Sequence, residues 1–265
     1  MADRKIFVIN MDKSADRLAF VKGQLDGLSI GFERIAGVDA ASLSEADIAK
    51  VYSPEINRKC YVRPLHRGQI ACYLAHMKAW RAIVEQNLDY AVILEDDVYI
   101  YDAFVGALSA LESSYPNWDF VRLEENSKPK KIFSERKITP SASLAVYINT
   151  PGGATSYALT AAAAKKMLAS LIPFGMPVDI QQQYLYRLGI KVECLRPPST
   201  YNGEVGLESE LRAVAGERTP RHYPLCRQVL SVKFYAAAAA RLISEFGFAK
   251  FALNLGKMCF RKPSA

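Results

Sequence analysis

The stretch Tyr90-Ala91-Val92-Ile93-Leu94-Glu95-Asp96-Asp97-Val98 narrows the possible folds more than any other, because an apolar run passes without a break into three carboxylates. A short apolar run of this kind fits a strand buried on both faces of a parallel sheet. Its acids would then stand at the carboxyl end, where open α/β sheets bind their ligands. Three clustered negative charges repel one another, which calls for a positive group among them. Oxygen ligands suit a hard divalent cation, Mg2+ or Mn2+, which usually bridges to substrate phosphates. The same residues also fit a strand end followed by a solvated acidic turn.

Apolar and amphipathic segments alternate around this stretch. Strands are predicted at Lys5–Asn10, Gly31–Asp39, Trp118–Leu123, Leu144–Asn149, Thr155–Leu159 and Lys191–Leu195. Helices are predicted from an N-cap at Ser14 to Leu25, then at Leu43–Val51, Gly68–Asn87, Asp102–Ser113, Ala161–Leu171 and Ile180–Leu188. Residues 52–66, 124–137 and 199–224 read as irregular, the first as either a flap over a site or a long surface loop. Such alternation predicts an α/β fold with a mostly parallel central sheet flanked by helices. A chain of 265 residues, half of them hydrophobic and 23% charged, can bury a large core of that kind.

Several side chains fall where a ligand would meet this sheet. Asn10 ends the first strand and Arg17 lies in the first turn of the helix after it, within reach of a phosphate or carboxylate. Arg17 fits a surface helical arginine equally well. In the helix from Gly68, Tyr73, Met77, Trp80 and Val84 form an apolar stripe, while Gln69, Cys72 and His76 form a neighbouring one. His76 could line a pocket near phosphates, or be a satisfied histidine at a helix–sheet seam. Gly152-Gly153 allows a tight turn or a close approach of backbone to a ligand, but lacks the spacing of a dinucleotide or P-loop fingerprint. Asp179 is placed as an N-cap or as a carboxylate aimed at a site.

Lys and Arg number 34 against 27 Asp and Glu, a formal +7 that favours an anionic partner. The excess is concentrated between residues 227 and 265, where Arg227, Lys233, Arg241, Lys250, Lys257, Arg261 and Lys262 face Glu245 alone. Phe246, Phe248, Phe251 and Phe260 are interleaved with them, a mixture that suits peripheral contact with an anionic membrane. A packed C-terminal helix with a frayed end is the competing reading. No nucleic-acid motif accompanies the charge, so no nucleic-acid partner is expected. The five cysteines are widely spaced and read as reduced thiols of a cytoplasmic protein. Met1-Ala2-Asp3-Arg4-Lys5 leads straight into a strand, so no signal peptide is expected, and no apolar run approaches the roughly 20 residues of a membrane span.

Taken in order, Phe7-Val8-Ile9-Asn10 with Asp16-Arg17, Gly68-Gln69-Ile70-Ala71-Cys72-Tyr73-Leu74-Ala75-His76, Leu94-Glu95-Asp96-Asp97, Gly153–Leu159 and Pro177-Val178-Asp179 resemble glycosyltransferase family 25. That family holds bacterial lipopolysaccharide and lipooligosaccharide sugar transferases and collagen galactosyltransferases. The resemblance covers roughly residues 5–200 and departs at Gln69, where the family usually has Glu, and at Ala75, where it has Ser. It implies a GT-A-like domain over residues 1–200; beyond it, the residues themselves read as an irregular segment over 201–227 and a basic, aromatic-rich helical tail over 228–265. The resemblance also implies a UDP-sugar donor, commonly UDP-galactose or UDP-glucose, and inverting transfer to a hydroxyl of a glycan or glycolipid acceptor. Glu95 and Asp97 would then be metal ligands, and Asn10, Arg17, His76 and Asp96 would contact the donor. Asp179 would be the general base, with Glu204 behind it. The setting would be the cytoplasmic face of a bacterial inner membrane. A metal-dependent phosphoesterase or nucleotidyltransferase, or a catalytically degenerate scaffold at the membrane, are the alternatives.

Overall fold

The computed structural model describes residues 2–124, 130–202 and 223–260, and within the last stretch the side chains of residue 228 and residues 232–255. Glu204, most of the expected 201–227 segment, and the side chains of Arg227, Lys257, Phe260, Arg261 and Lys262 lie outside the described residues.

The amino-terminal half runs β1 (Arg4–Asn10), α1 (Ala15–Gly27), β2 (Glu33–Ala36), α2 (Glu45–Val51), α3 (Pro54–Cys60), α4 (Arg67–Glu85), β3 (Tyr90–Glu95), β4 (Val98–Ile100) and α5 (Phe104–Ser114). It continues through β5 (Phe120–Arg122), β6 (Ile132–Lys137), β7 (Ser143–Tyr147), β8 (Ser156–Thr160), α6 (Ala161–Ser170), α7 (Val178–Gln182), β9 (Val192–Arg196) and β10 (Thr200–Asn202). Two helices, α8 (Tyr223–Phe246) and α9 (Phe248–Phe260), close the described chain.

Eight strands form one sheet in the order β2-β1-β3-β8-β5-β9-β7-β6. The pairings make six of them run one way, with β8 and β7 running against their neighbours. The expected α/β architecture with a mostly parallel sheet is therefore present. β3 sits inside it, and Tyr90 to Leu94 are fully buried because both faces are covered. Its side chains alternate: Ile93 joins the core beneath α4 and α6, whereas Val92 and Leu94 join the core beneath α1 and α5. In α4 the stripe Tyr73, Met77 and Trp80 is buried against the sheet.

Because β8 is antiparallel to β3 and β5, its amino end lies at their carboxyl ends. Glu95 N donates to Thr155 O at 2.8 Å, which fixes the 151–155 turn beside the acid triplet. β10 pairs with β4, setting Asn202 opposite Val98.

Four segments differ from the sequence reading. Residues 54–60 are helical, since the Ser53 side chain caps Ile56 N and Pro54 stands in the first turn, where a missing N–H costs nothing. The charged stretch to Lys137 contains β6, an edge strand with one buried face on which Phe133 packs. Thr200–Asn202 is a strand rather than irregular chain. The helix expected to Leu188 stops at Gln182, and a 3-10 turn over Leu185–Leu188 ends at Gly189 in the left-handed region. Ser14 does occupy the N-cap of α1, but its side chain makes no capping hydrogen bond; its carbonyl instead accepts from Asn10 Nδ2 at 2.8 Å.

The two last helices pack on the β6 edge. Leu242 is fully buried, Phe246 and Phe251 pack against Phe133, and Asn254 Nδ2 donates to Phe133 O at 2.9 Å. The Phe234 ring stacks on Tyr184 with centroids 4.5 Å apart. Gly247 breaks the run at a φ of +81°, a conformation that a glycine adopts without penalty.

Candidate active site

A cavity of about 710 Å³ opens at the carboxyl ends of β1 and β3, walled by the start of α1, the turn after β2 and the first turns of α4. Asn10, Arg17, His76, Glu95, Asp96 and Asp97 all line it. Six of the eight site residues singled out from the sequence are thus brought together, and Glu204 lies outside the described residues. Asp179 is not among the lining residues.

The three acids have different environments. Asp96 points to the α1 face, where Asn10 Nδ2 donates to its Oδ2 at 2.7 Å and Arg17 Nη1 approaches its Oδ1 at 3.2 Å. Burial still pushes its carboxyl up, against the pull of Asn10 and Arg17. Asn10 is itself held by Arg34, whose Nε donates to Asn10 Oδ1 and whose Nη2 donates to Asn10 O, each at 3.0 Å. Arg34 was not anticipated as part of the site; its position beside Val8 in the β1–β2 register places it there.

Asp97 is the uncompensated acid. Among the described residues its Oδ1 is buried without a hydrogen-bond partner, and its carboxyl is pushed up to about 7, first by burial and then by the charge of Glu95. Glu95 points to the opposite face of β3 from Asp96, towards α4, as strand alternation requires. Its Oε1 lies 3.0 Å from His76 Nε2 and 4.0 Å from Cys72 Sγ. An orphaned carboxylate oxygen next to a second carboxylate is an all-oxygen, negatively charged donor set, and it fits a hard divalent cation. Glu95 and Asp97 would hold it, and the cation would supply counter-charge for a phosphorylated leaving group.

A second polar cluster lies on the α4 side of the sheet, beyond β8. Arg122, fully buried, donates from Nη1 to Glu124 Oε1 at 2.7 Å and from Nη2 to Gln182 Oε1 at 3.3 Å. Among the described residues its Nε and the Gln182 Nε2 have no partner. Burial raises Glu124 to about 7, although Arg122 draws it down. Gly153 takes a φ of +99°, and a Cβ there would fall 2.5 Å from Glu124 Oε1. The close approach permitted by this glycine is to Glu124. Asp179 sits beside Gly152, whose added Cβ would be 3.9 Å from Asp179 Oδ2. Burial raises the Asp179 carboxyl, Arg122 lowers it, and Glu95 raises it further, so the two acidic clusters feel each other. The arginine was legible in principle: in Phe120-Val121-Arg122 it takes the parity of Phe120, which faces the core beneath α4 and α6.

Gln69 has a defined structural part. His66 caps α4 through Nδ1, which accepts from Gln69 N, while Gln69 Oε1 accepts from His66 N, both at 3.3 Å. A capping box accepts Gln as readily as Glu, so this position serves the helix terminus.

Carboxylates at the strand ends of an α/β sheet, a basic residue opposite them and a cavity between are the arrangement of enzymes that handle phosphorylated donors. The family model of glycosyltransferase family 25 (LPS biosynthesis protein) matches residues 3–181. The chain belongs to that family. Procollagen galactosyltransferase 1-A of Xenopus laevis is 26% identical over 187 residues, covering 68% of this chain and 30% of the relative. A putative glycosyltransferase of Haemophilus influenzae is 26% identical over 72% of this chain and 67% of its own length. A human relative, inactive glycosyltransferase 25 family member 3, is 27% identical over 66% of this chain and 30% of its own. The chain spans about 30% of the length of the procollagen galactosyltransferases it matches. Among the described residues no helix is long and apolar enough to cross a membrane, and Cys60, Cys72 and Cys194 are free.

Proposed function

We propose that the chain transfers a hexose, galactose or glucose, from a UDP-sugar to a hydroxyl of a lipopolysaccharide-type glycan, assisted by Mn2+ or Mg2+ and with inversion. The observation that carries this reading is the buried Asp97 Oδ1, without a hydrogen-bond partner among the described residues, beside Glu95 in a cavity that also holds Asn10 and Arg17. A cation held by Glu95 and Asp97 would neutralise the departing diphosphate. Arg17 and Asn10, tied to Asp96, serve the donor side. Inverting transfer needs a carboxylate to accept the proton of the attacking hydroxyl. Asp179 fills that role from the Arg122 side of the acids, and its upward shift suits a proton acceptor.

The chemistry is assigned to residues 1–200 and membrane contact to residues 228–265. Val232, Tyr235, Phe248, Leu253 and Leu255 are exposed beside Lys233 and Lys250. Phe248, Ala252 and Leu255 recur at helical spacing, which makes a face that an anionic bilayer surface would cover. A lipid-linked acceptor at the cytoplasmic face of a bacterial inner membrane agrees with such a surface.

Asp97→Ala should abolish transfer and Mn2+-dependent UDP binding in a protein that still folds. Asp179→Asn should spare UDP binding and greatly reduce transfer. Undiminished Mn2+-dependent binding in the Asp97 variant would overturn the cation site, and near-normal turnover in the Asp179 variant would overturn the base. The second reading, a non-catalytic scaffold, draws on the human relative named inactive. A thermal shift with UDP and Mn2+ separates the two, and product analysis with UDP-sugars separates transfer from phosphoester hydrolysis.

A further inference from the structure

Cys72, His76 and Glu95 each offer one ligand atom within 4.8 Å of the others, the spacing of a soft-metal site. Hydrogen-bond polarity gives the cluster a different meaning. Trp80 Nε1 can only donate, and it lies 2.8 Å from Tyr157 Oη. The phenol is fully buried, and among the described residues its oxygen meets Trp80 and, at 2.9 Å, His76 Nδ1. Having accepted from Trp80, the phenol has one hydrogen to place, and His76 Nδ1 is the acceptor within reach. With Nδ1 accepting, the imidazole proton stays on Nε2 and is donated to Glu95 Oε1 at 3.0 Å. Among the described residues, the reverse tautomer would leave the buried Tyr157 hydrogen without an acceptor, which costs more than an exchanged hydrogen bond returns.

We propose that His76 is a positioning residue: the chain Trp80–Tyr157–His76 fixes it as an Nε2–H donor to Glu95 Oε1, so Glu95 meets its ligand through Oε2 alone. Cys72 Sγ lies 4.0 Å from the same Oε1. In this order of hydrogen bonds both ring nitrogens of His76 are engaged, and a soft ion would find no free imidazole nitrogen. This inference rests on the proposed cation role of Glu95 for its functional consequence, but not for the hydrogen-bond order itself.

Long-range 1H–15N correlation spectra of the histidine-labelled full chain at pH 7 test the order directly. The chain has three histidines, and loss of one pattern in His76→Gln assigns the signal. The expected result is the Nε2–H tautomer for His76, lost or shifted in Tyr157→Phe. An Nδ1–H or doubly protonated pattern in the unaltered protein overturns the proposal. Calorimetry with Mn2+ and UDP tests the consequence. His76→Leu should weaken binding about 10- to 100-fold, the usual effect of losing a partner of a metal ligand. His76→Gln, whose amide can still donate, should recover most of that loss. Equal binding in all three proteins overturns the positioning role. Absence of Mn2+-dependent UDP binding in the unaltered protein would instead remove the sugar-transfer reading, while the spectra would still decide the tautomer.

Discussion

Replacing Gly153 by Ala tests how tightly the Arg122–Glu124 cluster is built. The new methyl would stand 2.5 Å from Glu124 Oε1 and 2.7 Å from both Cδ and Oε2. A flexible side chain on the surface would swing aside, but Glu124 is buried and held at 2.7 Å by a fully buried Arg122. An alanine at positive φ costs about 1–2 kcal/mol by itself. Prising the carboxylate from its guanidinium adds about 3–5 kcal/mol, the usual cost of breaking a buried ion pair. The sum, about 4–7 kcal/mol, is a large share of the 5–15 kcal/mol that holds a typical domain together. Urea unfolding followed by circular dichroism should report it as a lower midpoint. A cycle with Glu124→Ala sharpens the reasoning. The single Glu124 variant should lose about 3–5 kcal/mol, and the double variant little more than Gly153→Ala alone, because the obstacle is already gone. A loss below about 2 kcal/mol in Gly153→Ala, or strict additivity, would refute the steric account.

The same glutamate makes stability depend on pH. Its folded value near 7 lies above the ordinary 4.5, so the folded state holds the proton more firmly; its contribution is best below about 4.5 and declines as pH rises through 7. At about 1.4 kcal/mol per unit the decline approaches about 3 kcal/mol, and urea midpoints of Glu124→Gln should lack that part of the slope. Gln69→Ala should cost about 1 kcal/mol by opening the capping box, whereas Gln69→Glu should leave both stability and turnover close to those of the unaltered chain. For the membrane face, Phe248→Ser with Leu255→Ser should reduce co-sedimentation with anionic vesicles, and added salt should weaken it further. Surface substitution is the cleaner perturbation, because truncation would also strip Leu242 and Phe246 from β6. Unaltered vesicle binding in that double variant would exclude the face.

The cavity floor was readable because its side chains follow backbone rules. An apolar strand running into acids, and an asparagine closing the first strand, announce themselves in sequence, and Asn10, Arg17, His76, Glu95, Asp96 and Asp97 do converge. What stayed hidden depends on contacts between distant segments. β6 reads as a charged loop since it carries Ser134, Glu135, Arg136 and Lys137, and its buried Phe133 is covered by helices more than a hundred residues later. Ser53-Pro54 is a helix start that looks like a turn. Trp80 and Tyr157 read as core aromatics, and their polar atoms acquire meaning from meeting His76 across the helix–sheet seam.

Arg34 of β2, Asn10 at the end of β1 and Asp96 just beyond β3 are joined through consecutive hydrogen bonds. The dehydration of Asn10 and Asp96 is thus largely completed when the chain folds, before any donor arrives. Stronger grip through additional buried charge at this rim would therefore weaken the scaffold, so tolerance to heat and affinity cannot be tuned independently there.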